Sequence, residues 1–154
     1  MTDYTHSEAV VVAVSPETLY DLVSDVTRTG EWSPTCTGCV WDDGAGPQVG
    51  AWFTGYNATP ARQWQTRSRV VTADRGTEFA WAVGEDYVRW SFRLAPHDGG
   101  TLLTETWQFT PAGQAMFAQR YGDDAPAQIA DRTQMAHEGI PATLAAIKRI
   151  AEAG

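Results

Sequence analysis

The chain has 154 residues, of which 43% are hydrophobic, so a single domain covering residues 1–154 can bury a core without disulfides or metals. Its 11 basic and 19 acidic residues give a net charge of −8, which argues against nucleic acid or an anionic membrane as a partner. There is no signal-peptide pattern and no apolar run of about 18 residues, so we expect a cytoplasmic protein without a membrane span.

The first part of the chain predicts a strand followed by two short helices. Ser7–Val14 is apolar and β-branched, as strands are. Ser15 and Pro16 suit the N-cap and first position of a helix, and an apolar stripe follows them. The segment 27–34, TRTGEWSP, predicts a second short helix that ends between Gly30 and Pro34.

Six strand-like segments separated by short turns follow, and such connections predict an antiparallel sheet. The segments are residues 36–43, 51–57, 62–73, 77–83, 87–95 and 101–110. Alternation places the apolar residues of each strand on one face. For residues 51–57 two phases are compatible with the pattern. Either Phe53, Gly55 and Asn57 face the core, or Trp52, Thr54 and Tyr56 do.

The last part of the chain predicts a short helical turn and a loop over residues 112–128, and then a long helix over Pro126–Ala153. Pro141 is expected to kink this helix near Gly139 or to mark where it restarts. The predicted class is therefore α+β, with one curved antiparallel sheet and a single long helix to cover its apolar face.

Both cysteines, Cys36 and Cys39, lie in a C-x-x-C motif, a spacing shared by redox dithiols and zinc sites. There is no second cysteine pair, and His6, His97 and His137 are far apart, so we predict no metal. The pair precedes a strand instead of opening a helix, which leaves its thiols without activation by a helix dipole. We interpret it as a strand-entry pair without a catalytic role, although a reversible disulfide is compatible with the spacing. With no glycine-rich phosphate loop, no cofactor is expected.

The order of elements, together with the segments EWSP, GAWFTGYN, RQWQTRSRVVTADRGTEFAWAV and GGTLLTETWQF, resembles the START-like (SRPBCC) superfamily over Glu8–Ala151. Within it, the chain is similar to the polyketide cyclase/dehydrase and lipid-transport group. The resemblance implies a helix-grip fold, in which the sheet wraps around the long C-terminal helix and leaves an apolar cavity. It also implies small hydrophobic ligands such as polyketides, lipids or sterols, while the fold alone does not fix a reaction.

Seven tryptophans support such a cavity, since this bulky amphipathic side chain suits apolar pockets as well as cores. By its position after the second short helix, Trp32 matches a family position near the cavity entrance, where it is expected to form part of a gate. Asn57, Thr66 and Ser68 are candidate hydrogen-bonding groups. The predicted cavity residues are Trp32, Phe53, Asn57, Trp64, Thr66, Ser68, Trp81, Trp90, Trp107, Ile140 and Leu144.

Glu105 is the candidate catalytic residue, because alternation places it on an otherwise apolar face between Leu103 and Trp107. A buried carboxylate must be paired, hydrogen-bonded or protonated, and desolvation raises its pKa toward the range of a general acid or base. The alternative is a structural carboxylate satisfied by Arg120, Tyr121 or Arg132.

An arginine in the cavity polarises polyketide carbonyls in cyclases of this family. Arg67 and Arg69 point away from Trp64 by alternation, so either could serve only if a bulge turned it inward. His137 is interpreted as structural, because no nucleophile forms a recognisable motif with it.

Three functions are compatible with these observations. The favoured one is a carrier or sensor that binds a small hydrophobic molecule. The second is a polyketide cyclase/dehydrase-type enzyme that uses Glu105, with an Arg or Tyr holding the enolate oxygen. The third is a protein-interaction module with a filled interior and an exposed apolar patch. A homodimer formed through edge strands is compatible with each of them.

Overall fold

The computed structural model describes residues 4–154, and it begins with the predicted strand and helices. Strand β1 (Tyr4–Val12) leads into helix α1 (Pro16–Val23), whose first turn is held by Ser15. The Ser15 hydroxyl oxygen accepts a hydrogen bond from the Thr18 amide at 3.2 Å, as its N-cap position predicts. The second helix is a 3-10 helix, Val26–Glu31.

The remaining strands complete one antiparallel sheet in the order β1-β7-β6-β5-β4-β3-β2. They are β2 (Cys36–Trp41), β3 (Trp52–Thr59), β4 (Arg62–Asp74), β5 (Glu78–Val83), β6 (Val88–His97) and β7 (Gly100–Phe109). Consecutive strands pair from β2 through β7, and β1 joins the sheet beside β7. All the predicted strands are therefore present, and the antiparallel sheet is confirmed.

Strand β3 adopts the phase in which Phe53 and Gly55 face the core, which settles the two alternatives. Phe53 is 4% exposed, whereas Tyr56 on the opposite face is 42% exposed. Gly55 is needed here for space, because a Cβ at this position would lie 2.8 Å from the Thr66 hydroxyl oxygen. A larger residue would require the Thr66 side chain to move.

The segment after β7 forms a regular helix, α2 (Pro111–Tyr121), so the predicted short turn and loop are wrong there. The Thr110 hydroxyl caps this helix by accepting from the Gly113 amide at 3.0 Å, and Pro111 occupies its first turn. Its buried residues are Gly113 and Phe117. A helix with so narrow a buried face shows little periodicity of its apolar residues, so the sequence of α2 does not show a helical pattern.

A short 3-10 helix, Gly122–Asp124, connects α2 to the long helix α3 (Ala125–Ala153). Helix α3 continues through Pro141 without restarting, flanked there by the buried Ile140 and Leu144. It contacts β1, β7 and α2, and its buried stripe faces the sheet. The result is the expected α+β helix-grip arrangement, with the core between the sheet and α3. In residues 4–154, no helix is long and apolar enough to cross a membrane.

Candidate functional site

A cavity of about 790 Å³ lies between the sheet, the 3-10 helix Val26–Glu31 and the helices α2 and α3. Its walls come from the inner faces of β3 to β7, from the segment around Trp32 and from the first half of α3. Ligand pockets typically measure about 300–1,000 Å³, so this volume suits a small organic molecule.

Every predicted cavity residue except Leu144 lines this space. The lining residues from that prediction are Trp32, Phe53, Asn57, Trp64, Thr66, Ser68, Trp81, Trp90, Trp107 and Ile140. Leu144 is a correction: it is buried, but it lies one turn beyond Ile140, beside a groove that Val10 of β1 also lines. Thr143 is the last residue of α3 that lines the cavity, and the helix packs against β1 beyond it.

Aromatic rings form a rigid wall of the cavity across β3, β5 and β6. Trp81 is central to it: its ring stacks on Trp90 with centroids 6.4 Å apart and meets Phe53 edge-on at 6.2 Å. The Phe92 ring lies 5.9 Å from Trp81. Aromatic rings that pack against one another restrict the rotamers each can adopt, so this wall presents a fixed apolar surface.

Glu105 projects from β7 into the cavity wall. The residue is 5% exposed, and within residues 4–154 its Oε1 atom has no hydrogen-bond partner. Burial alone raises the pKa of Glu105 to about 8, so most of these carboxyl groups are protonated at pH 7. Arg132, one of the three candidate partners, instead donates to Asp131, Gln128 and Tyr121. Within residues 4–154 no hydrogen bond or ion pair joins Glu105 to Arg120, Tyr121 or Arg132, so the alternative of a carboxylate satisfied by one of them is wrong.

The two cysteine thiols also line the cavity, which the sequence did not predict. The register shift between Cys36 and Gly38 is a β-bulge, and it brings the sulfur atoms of Cys36 and Cys39 to 3.5 Å. Both cysteines are free. The Cys39 thiol stabilises the Cys36 thiolate by hydrogen bonding, which lowers the pKa of Cys36 to about 7, while the pKa of Cys39 is raised.

A cluster of arginines lines the cavity near α2 and α3: Arg62, Arg120 and Arg132. Arg62 was not among the cavity residues predicted from the sequence. A signal for it existed, since the alternation that turns Trp64 inward also turns Arg62 inward. Its guanidinium carbon lies 3.9 Å from the centre of a Trp64 ring. Burial, and then the charge of Arg132, lower the pKa of Arg62.

Two other arginines of β4 follow the predicted outward orientation. The Arg67 guanidinium donates to the Asp42 carboxylate at 2.7 Å and to the Thr54 hydroxyl at 3.1 Å, with about half of its side chain exposed. Arg69 is exposed on the same face. The bulge in β4 falls between Val70 and Thr72, beyond both residues, so it turns neither of them inward.

The histidines lie outside the cavity lining. His137 of α3 stacks on His6 of β1 with ring centroids 3.9 Å apart, and the His6 Nε2 atom forms a hydrogen bond with the Glu8 carboxylate at 2.8 Å. These contacts join the helix to the sheet edge, in agreement with a structural interpretation of His137. Residues 4–154 hold no group of three or more histidine, cysteine or acidic side chains placed to bind a metal ion.

Comparison with known proteins gives a family match and several similar structures. Residues 3–135 match the family model described as polyketide cyclase / dehydrase and lipid transport. The Polyketide_cyc-like protein Cgl2372 from Corynebacterium glutamicum is 46% identical, with a TM-score of 0.73 over 98% of this chain and 93% of that chain. A sequence comparison with curated proteins gives no match.

More distant structures show the same fold. The di-domain ARO/CYC StfQ from the steffimycin biosynthetic pathway is 16% identical, with a TM-score of 0.65 over 98% of this chain and 50% of that chain. Major latex-like protein 151 from Panax ginseng is 12% identical, with a TM-score of 0.59 over 88% of this chain and 97% of that chain. At these identities the similarity concerns the fold alone.

Proposed function

Because this chain belongs to the polyketide cyclase/dehydrase and lipid-transport family, we propose that it binds a small hydrophobic molecule in the cavity, as a carrier or sensor. The observation that carries the proposal is the aromatic-walled volume of about 790 Å³ between the sheet and α3. Fixed apolar walls bind an apolar molecule by removing its surface from water, without ordering the protein on binding. Asn57, Thr66 and Ser68 then orient its polar groups.

A matched pair of helix variants tests where binding occurs. Ala136 is 3% exposed and lines the cavity, whereas Ala142 of the same helix is exposed. Ala136→Phe places a ring in the cavity, and Ala142→Phe places the same ring in solvent. Native mass spectrometry of the purified protein identifies retained molecules, and tryptophan fluorescence follows added polyketides, fatty acids and sterols. We expect A136F to lose binding and A142F to keep it; equal binding by both folded variants would exclude the cavity.

A second candidate function is cyclisation or dehydration of a polyketide-like substrate, and the unpartnered Glu105 favours it. A protonated carboxyl group can donate its proton to a carbonyl oxygen or to a departing hydroxyl group, and the resulting carboxylate can accept a proton later. Glu105→Gln retains the shape and a donor but cannot transfer a proton. Loss of turnover with retained binding would support the enzyme; unchanged turnover of a substrate would remove Glu105 from the mechanism.

The protein-interaction module receives less support than either cavity function. It requires a filled interior, and a volume of about 790 Å³ does not fit that requirement. It also requires a large exposed apolar patch. The large apolar residues with the greatest exposure are Val11, Val40, Val49 and Tyr56. Val40 and Tyr56 lie on the paired strands β2 and β3, whereas Val11 lies on β1 at the opposite edge of the sheet and Val49 in a loop.

A further inference from the structure

The arginines of the cavity give its two ends different electrostatic character. Arg62 comes from the start of β4, Arg120 from the end of α2, and Arg132 from α3. The charges of Arg120 and Arg132 both act on Arg62, so the three guanidinium groups share one region. A chain with a net charge of −8 thus concentrates positive charge at one end of its cavity.

Negative groups of the protein do not balance this cluster. Asp131 is the acidic side chain that acts on Arg62, and it is already bound to Arg132 at 2.8 Å. The Nη2 atom of Arg62 is buried and has no hydrogen-bond partner within residues 4–154. The side chain as a whole is half-buried, but a buried N–H donor without a partner is costly, and an oxyanion that reaches it relieves this cost.

The Arg62 side chain is also held in an orientation suited to binding. Stacking on Trp64 at 3.9 Å occupies one face of the guanidinium plane and fixes the direction of its N–H edge. That edge matches the two oxygens of a carboxylate or phosphate. The Tyr121 hydroxyl lies beside Arg132, 3.4 Å from its Nη2 atom, and supplies a further polar group to the same region.

Glu105 marks a separate part of the cavity. Glu105 lies on β7, which β6 and β5 separate from β4 in the sheet, and burial alone raises its pKa, with no contribution from the arginine cluster. Near neutral pH this position offers a neutral hydrogen-bonding group among aromatic rings. One end of the cavity is therefore cationic, and Glu105 presents an uncharged polar site between apolar walls.

We propose that the ligand is an apolar molecule with a terminal oxyanion, a carboxylate or a phosphate, which binds to Arg62 with support from Arg120 and Arg132. The apolar body then extends along Trp81 and Trp90, where Glu105 contacts a neutral oxygen of the ligand. This inference rests on the proposed function, because it names the chemical class bound by the same cavity.

Three probes with the same alkyl chain separate the anion from the apolar body: decanoate, decyl phosphate and decanol. In isothermal titration calorimetry at pH 7 we expect at least one anion to bind the wild-type protein about tenfold more tightly than decanol, as charge-assisted hydrogen bonds to arginine imply. The stronger of the two anions identifies the head group as carboxylate or phosphate.

Variants on one strand supply the control. Arg62→Gln removes the cavity guanidinium, whereas Arg69→Gln makes the same change on the exposed face of β4. We expect R62Q to lose most of the preference for the anion while binding decanol as before, and R69Q to keep the preference. Arg62→Lys keeps the charge without the paired N–H edge and is expected to fall between them. Arg132→Gln gives an independent test if R62Q does not fold.

The outcomes distinguish this inference from the proposed function. Equal affinity of wild-type protein for decanol and both anions would overturn the inference and leave the apolar cavity as a binding site. An anion preference that survives in both R62Q and R132Q would also overturn it. If none of the three probes binds, this inference fails, and the proposed function fails as well only if the polyketides, fatty acids and sterols also give no binding.

Discussion

Removing the ionisable group of Glu105 should make the protein more stable at neutral and alkaline pH. The pKa of this carboxyl group is about 8 in the folded protein, against a reference value of 4.5 for an exposed glutamate. Between these two values the folded state binds more protons than the unfolded state. The wild-type free energy of unfolding must therefore decrease as the pH rises from about 4.5 to about 8.

The size of this effect follows from the pKa difference. Each pKa unit corresponds to about 1.4 kcal/mol, so integrating from pH 5 to pH 8 gives a loss of roughly 3 kcal/mol from this one group. Glu105→Gln has no such titration, and its amide occupies nearly the same volume. The stability of E105Q relative to wild type is therefore expected to increase by about 3 kcal/mol over that pH interval.

Urea unfolding followed by circular dichroism at pH 5, 6, 7 and 8 measures this difference. Glu138→Gln is the matched control, because Glu138 is exposed on α3 and should give a curve parallel to the wild type. Parallel curves for E105Q and wild type would refute the reasoning. Such a result would mean that Glu105 is ionised in the folded protein and that the cavity contains water or a cation at this position.

Two further predictions concern the cysteines and the core. Iodoacetamide should modify Cys36 with a rate midpoint near pH 7 and leave Cys39 unmodified. Cys39→Ala should shift that midpoint upward, because the thiol that stabilises the Cys36 thiolate is lost. Peptide mass spectrometry measures the labelling of each cysteine, and equal labelling with a midpoint near 9 would contradict both expectations. Phe79 is fully buried against Tyr20 and Trp81, so Phe79→Ala should lower the free energy of unfolding in urea by about 3–5 kcal/mol. Val49 is exposed, and Val49→Ala should lower it by less than about 0.5 kcal/mol. Similar losses for the two variants would contradict the assigned core.

The strands could be predicted from the sequence because alternation is a local property. From β2 to β7 no helix lies between one strand and the next, so consecutive strands become neighbours, and the order of these six strands needs no long-range information. The inward orientation of Trp64, Thr66 and Ser68 follows from the same alternation and holds in the structure. The buried position of Glu105 between Leu103 and Trp107 was predicted on the same basis.

Helix α2 could not be recognised from periodicity because it buries little of its surface. Gly113 packs so closely that a Cβ would clash with the Tyr87 carbonyl oxygen, and a glycine inside a helical segment looks like a break in sequence. The capping signal at Thr110 and Pro111 was present, as it was at Ser15 and Pro16. This capping signal was enough to predict a helix only at Ser15 and Pro16, where an apolar stripe follows it.

The polar groups of the cavity depend on contacts between distant segments. Cys36 and Cys39 share a face only because β2 contains a bulge, and no local pattern marks that bulge. The alternation along β4 predicts that Arg62 faces inward, but its charged neighbours come from α2 and α3. Whether an inward arginine is paired or free depends on which side chains the helices bring to it, and strand alternation contains no information on this.

The division of α3 into two functional parts accounts for the misplacement of Leu144. The helix lines the cavity from Arg132 to Thr143, and its next turns pack against the sheet through Leu144 and Ile147. A single apolar stripe runs through both parts, so hydrophobicity alone does not separate cavity wall from core. In the first part, the unfilled volume costs packing contacts, whereas the buried residues of the second part, such as Leu144 and Ile147, contribute packing contacts with the sheet. The surface of the cavity can therefore change near Ala136 without loosening the attachment of the helix to β1.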